Sequence, residues 1–145
     1  MDIPIPPIIF IFSFLVSLIL FFFTPIYKFE SIYILSLIFI VIGIFLAVYS
    51  SYTIIINKTT INPNETPSIL IKNGPFKISR NPIYLSMLII LFGLDFYFFA
   101  IISFINIIIF FLIINFFIIP KEEKNIEKKF GDTYIEYKRK VRRWI

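Results

Sequence analysis

Residues 82–119 constrain this chain more than any other stretch: 38 positions carry one carboxylate, Asp95, and no lysine or arginine. As a single helix the run would be about 57 Å long, roughly twice what a bilayer crossing needs. It must therefore fold back on itself as a tight hairpin of two spans, with the bend near residues 95–100. Pro82 suits the first turn of a helix, where its missing N–H costs nothing, and Pro120 marks the end of the second arm. Two more apolar runs precede the hairpin, residues 5–23 and 32–56, joined by a short polar turn at 24–31. The second is long enough to cross with some tilt. The chain reads as an all-α integral membrane protein, one domain over 1–145, with about four transmembrane helices near 5–23, 32–56, 82–97 and 100–119.

Composition leads the same way. Of the 145 residues 59% are hydrophobic and 16% charged, too few charges to cover a soluble globule of this size. There is no Cys and no His. That excludes disulfides, thiolate and imidazole metal sites, cysteine nucleophiles and histidine bases, so no metal centre is expected. Thirteen of the 14 Lys and Arg lie at 57–80 or beyond Pro120. The positive-inside bias puts those segments, and with an even span count both termini, in the cytoplasm, at the plasma membrane if the cell is prokaryotic. No basic face exists away from the spans, so membrane lipids and not nucleic acid are the expected partners. The N-terminus lacks a basic region and a cleavage site, and no signal peptide is expected. The sequence does not specify an oligomeric state.

The polar segments hold the candidate chemistry. In the loop 57–81, Asn62-Pro63-Asn64 and Thr66-Pro67 predict irregular backbone, residues 68–71 a short strand or interfacial piece, and Asn73-Gly74-Pro75 a turn. Two glycosylation sequons, at Asn57 and Asn64, are read as chance in a cytoplasmic loop. In the tail, Ile126, Phe130, Tyr134, Tyr137 and Val141 draw one helical stripe, interrupted by Gly131, that predicts an amphipathic helix on the inner leaflet. Glu122 and Glu123 fit either surface pairs with Lys121, Lys124 or Lys128, or a cation site at the mouth of the bundle. Arg80, at a helix start, is either a membrane-side anchor or a partner for a carboxylate or phosphate. Phe76 and Tyr84 beside it fit an interfacial belt, or rings that stack on a base or face a cation.

Gly74-Pro75-Phe76, Arg80-Asn81-Pro82-Ile83-Tyr84 and Gly93, followed by Glu122-Glu123, Phe130-Gly131, Tyr134, Tyr137, Val141 and Arg143, resemble in order and spacing the signature of the isoprenylcysteine carboxyl methyltransferase family and of related phospholipid methyltransferases. The likeness covers roughly residues 60–145. It implies a methyltransferase that uses S-adenosylmethionine and modifies a lipophilic acceptor, prenylated-cysteine-like or lipid, at the cytoplasmic membrane face. It implies that Ser68, Ile69, Leu70, Ile71, Gly74 and Phe76 line the cofactor, that Asn81, Pro82 and Tyr84 cradle it, and that Glu122 or Glu123 holds its amino-acid end. Arg80 and Asn115 are the implied catalytic candidates. Asn115 is the polar side chain nearest the place where prenylcysteine enzymes carry an arginine for the substrate carboxylate. Asn81 stands where the family has histidine. Phospholipid amine N-methylation is the alternative reaction; a sterol-reductase-type enzyme using a dinucleotide, and a non-catalytic membrane scaffold, are the other readings.

Overall fold

A computed structural model of the chain describes residues 5–23, 30–60, 65–98 and 101–145. Every regular element among them is helical. Helix α1 is Ile5–Phe23, α2 Glu30–Ile56, α3 Pro82–Phe98 and α4 Ile101–Ile113. A five-residue π turn, Ile114–Ile118, leads into α5, Ile119–Phe130, and α6 is Asp132–Lys140. The expected turn at 24–31 lies outside the described residues except for 30 and 31, which begin α2; Asn62-Pro63-Asn64 and positions 99–100 of the expected bend also lie outside them. Isoleucine and phenylalanine are indifferent helix formers in water, but in hydrocarbon a segment must satisfy its own backbone hydrogen bonds, which selects the helix.

Two helical stretches, Tyr33–Ile56 and Phe104–Phe130, are long and apolar enough to cross a membrane; Ile5–Leu20 and Pro82–Tyr97 are apolar but shorter. Large side chains point outward along them, among them Phe12, Phe45 and Phe117 at 65%, 69% and 72% exposure. Water would penalise such surface, and lipid does not. The pair α2–α3 packs antiparallel and closely, because two glycines remove the side chains in between. A Cβ on Gly43 would stand 2.5 Å from Ile90 Cγ1, and one on Gly93 would stand 2.9 Å from Ile40 Cγ1 and 3.0 Å from the Ser36 carbonyl. Helix α1 is clipped to α4 by Asn106, whose Nδ2 donates to the Ser13 carbonyl at 2.8 Å and to Ser17 Oγ at 3.1 Å. A small core of Tyr84, Leu91, Phe110, Ile114 and Ile119 joins α3 to α4 and α5.

One expectation is narrowed and two are corrected. Residues 68–71 form no strand; the loop is irregular up to a short 3₁₀ turn, Gly74–Lys77, and Ser68 is tied back to the end of α2 by its N–H to Thr59 Oγ1 at 2.9 Å. Pro120 ends the apolar run but not the helix. It falls in the first turn of α5, and the wider π turn just before it accommodates a residue that has no N–H to give. The tail stripe does not form one interfacial helix. Gly131, at φ 52 and ψ −130, breaks it into α5 and α6 and turns Tyr134 and Tyr137 inward, where they are 2% and 5% exposed.

Candidate functional site

At the end of the bundle where α3 begins, the loop, α5 and α6 close over a cavity of about 460 Å³. Its apolar arm runs down between Phe10 of α1, Ala47 and Ile54 of α2, and Ile83, Met87 and Ile90 of α3. Its polar end is bounded by Arg80, Asn81, Tyr84, Glu122, Glu123, Tyr134 and Tyr137. Ile69, Leu70, Ile71 and Phe76 add an apolar side wall from the loop.

The two adjacent glutamates do different things. Glu123, 6% exposed, is clasped by two arginines: Arg80 donates to Oε1 from Nη2 at 2.7 Å and from Nε at 3.1 Å, and Arg143 Nη2 donates to Oε2 at 2.7 Å. Burial alone would raise its carboxyl, but the hydrogen bonds and charges of Arg143 and Arg80 outweigh burial and hold it below the usual carboxylate range. Arg80 is anchored further by the carbonyls of Val141 at 2.8 Å and Lys138 at 3.2 Å. Glu122 has no arginine. It accepts a hydrogen bond from the Tyr84 hydroxyl at 2.5 Å, and burial, with the neighbouring Glu123 charge adding to it, pushes its carboxyl up to about 7 against that hydrogen bond. Neither glutamate makes the lysine pairs that its place in the sequence offered.

The last residues of the chain hold this arrangement without lining the cavity. The Arg143 carbonyl accepts hydrogen bonds from Ser79 Oγ and Asn81 Nδ2, both at 3.1 Å, and the Arg142 carbonyl accepts one from the Arg80 N–H at 3.1 Å. Arg143 Nη1 and the Trp144 indole N–H both reach Asn115 Oδ1, at 3.2 and 3.0 Å, and the Trp144 ring packs on Phe111. Tyr137, whose hydroxyl burial pushes up to about 12 against the nearby Arg80 charge, donates to the Phe76 carbonyl at 2.6 Å. No group of three acidic, His or Cys side chains among the described residues is arranged to hold a metal ion.

Of the residues singled out from the sequence, Arg80, Ile69, Leu70, Ile71, Phe76, Asn81, Pro82, Tyr84, Glu122 and Glu123 line the cavity, while Ser68, Gly74 and Asn115 do not. Gly74 packs against α2: at φ 56, a Cβ there would meet the Tyr49 hydroxyl at 3.1 Å and Thr53 Oγ1 at 3.3 Å. Sequence reasoning missed Trp144 altogether and left Arg143, Tyr134 and Tyr137 as motif positions without a role. The tail's inward stripe was the signal, and only the break at Gly131 shows which way it faces.

A polar chamber built from the start of α3 and the acidic pair of α5, above an apolar arm, is the layout expected of an enzyme that works at a membrane surface. The model of a family described as phospholipid methyltransferase matches residues 31–133. The chain belongs to the phospholipid methyltransferase family. It is thus a membrane methyltransferase, and the matched stretch holds α2, α3, the loop and both glutamates. An uncharacterized protein of Haemophilus influenzae is 46% identical over 62 residues, which is 43% of this methyltransferase and 98% of that relative. No solved structure matches the chain.

Proposed function

We propose that this methyltransferase takes its methyl group from S-adenosylmethionine and passes it to an amine on a lipophilic acceptor at the cytoplasmic face of a four-span membrane domain. One observation carries the cofactor reading: the polar end of the cavity is charged on both sides. Glu122, raised by burial to about 7, has no cation of its own and would be held as the carboxylate by a bound ammonium, while Arg80 and Arg143 share the single charge of Glu123, leaving that side one positive charge in excess. A zwitterionic amino-acid end complements that pair of charges, with its ammonium toward Glu122 and its carboxylate toward Arg80. Phe76 and residues 69–71 offer the apolar wall an adenine needs, and about 460 Å³ is within the range of ligand pockets. Bound S-adenosylmethionine would supply an electrophilic methyl group. The residues' own part is to fix its ends, exclude water and admit the acceptor along the α1–α3 arm.

The same charges bear on the acceptor. A prenylcysteine carboxylate would need a cation of its own, and the one positive charge in excess beside Glu123 is already matched by the carboxylate of the cofactor, while Arg143 does not line the cavity. Asn115 is engaged by Arg143 and Trp144 and lies off the cavity. A lipid amine brings no carboxylate to be matched; it attacks the methyl group as the free amine, its ammonium proton passing first to water at the membrane face, and the family description agrees with it.

The test is calorimetric titration of detergent-purified protein with S-adenosylmethionine, then transfer of labelled methyl to phosphatidylethanolamine or to a prenylcysteine in mixed micelles. Micromolar binding and labelled phosphatidylethanolamine are expected. Folded protein that binds nothing at millimolar ligand overturns the cofactor reading, and labelling of the prenylcysteine alone overturns the acceptor. Because the chain has no cysteine, single cysteines introduced at Asn62 and Ile145 report topology directly: both should react with a membrane-impermeant thiol reagent from the cytoplasmic side.

A further inference from the structure

Beside the cavity, across Tyr137, lies a second hollow of about 320 Å³ bounded by Lys72, Lys77, Lys140, Glu136, Tyr137 and Val141. Its three lysines come from three different places: the loop, the 3₁₀ turn and the last residue of α6. Elsewhere in the described structure, cations that approach carboxylates pair with them, as Lys138 does with Glu127 at 3.0 Å and Arg80 and Arg143 do with Glu123. Among the described residues Lys72, Lys77 and Lys140 make no such pair, so three positive charges face one hollow against the single carboxylate of Glu136. Lys77 lies five residues before Pro82, the first residue of α3, which puts the hollow at the end of the bundle where the apolar helices give way to polar chain.

We propose that this hollow holds the phosphate of an anionic phospholipid from the surrounding leaflet. Lysine is a point-charge phosphate binder, and basic pockets beside membrane helices are suited to anionic headgroups. The lipid is distinct from the methyl acceptor, because Tyr137, hydrogen-bonded to the Phe76 carbonyl at 2.6 Å, forms the wall between hollow and cavity. A phosphate there ties the loop and the 3₁₀ turn to α6 and braces that wall from outside. The proposal does not depend on which cofactor or acceptor the cavity takes.

The experiment uses the full chain in nanodiscs of phosphatidylcholine with and without phosphatidylglycerol, reading thermal midpoint and, by native mass spectrometry, retained lipid. Wild type is compared with Lys72→Gln/Lys77→Gln/Lys140→Gln and with a control that loses the same charge on α5, Lys121→Gln/Lys124→Gln/Lys128→Gln. Wild type and control should be stabilised by phosphatidylglycerol and retain it at least tenfold over phosphatidylcholine, since each lysine at an anionic surface is worth roughly fivefold in affinity. The hollow variant should lose both effects. Should the triple variant not fold, Lys140→Gln alone is expected to lose about fivefold in retention. Equal losses in hollow variant and control, or no loss in either, overturn the proposal in favour of diffuse charge. Inorganic phosphate that stabilises wild type as well as the lipid does overturns the lipid as occupant.

Discussion

Replacing Glu123 with glutamine keeps the shape of the side chain and removes the charge that two arginines share. The side chains of Arg80 and Glu123 are 10% and 8% exposed, so the cation left behind cannot be hydrated where it sits. Breaking a buried pair by neutralising one partner costs about 3–5 kcal/mol. Arg143 is 30% exposed and partly solvated, and the amide oxygen still accepts one hydrogen bond, so the lower end, about 3 kcal/mol, is the expected figure. For a chain of this length that lowers the thermal midpoint by about 6–12 °C. Glu122→Gln is the matched perturbation one residue away. It removes a charge that burial already disfavours and whose hydrogen-bond partner is a tyrosine, so the midpoint should hold or rise. Affinity for a cationic ligand should instead fall roughly 10- to 150-fold, the worth of a charge-assisted hydrogen bond. Scanning fluorimetry and ligand titration on the two variants separate these outcomes. A Glu123→Gln protein as stable as wild type, or a Glu122→Gln protein destabilised as much as Glu123→Gln, would refute the division of labour read from the geometry.

Three further outcomes follow from the same structure. The folded-state value of about 7 for Glu122 lies above the usual 4.5, so its contribution to stability is full below about pH 4.5 and is lost as pH rises through about 7. Cation binding needs the ionised form and should strengthen over that window, and Glu122→Gln should flatten both curves. The Glu123 clasp has the opposite sign: its carboxyl is held low, and its stabilisation is present above about pH 4.5 and lost as pH falls below it. Gly93→Ala would set a methyl 3.0 Å from the Ser36 carbonyl, a backbone atom that cannot swing away. A loss of about 1–3 kcal/mol is expected, read as a lower thermal midpoint with the ligand affinity of the surviving folded protein unchanged.

The sequence alone settled what depends on solvent and on length. A 38-residue run with one carboxylate and no lysine or arginine is too long for a single crossing, so helices, a membrane and a polar loop could be read from residues 57–121 without coordinates. Motif spacing also picked out the residues at the polar end of the cavity, because short-range neighbours such as Arg80, Asn81 and Tyr84 travel together at the start of α3. What it could not assign was direction. Glu122 and Glu123 are chemically identical and adjacent, yet a helix turns each residue by about 100°, and only packing decides that one meets Tyr84 and the other meets two arginines drawn from positions 80 and 143. Likewise the stripe of Tyr134 and Tyr137 is equally apolar whether it faces lipid or protein. The break at Gly131, the π turn before Pro120 and the anchoring of Arg143 and Trp144 on Asn115 turn it inward. Local composition fixed the helices, and charge pairing across more than forty residues of chain decided which faces of them became the site.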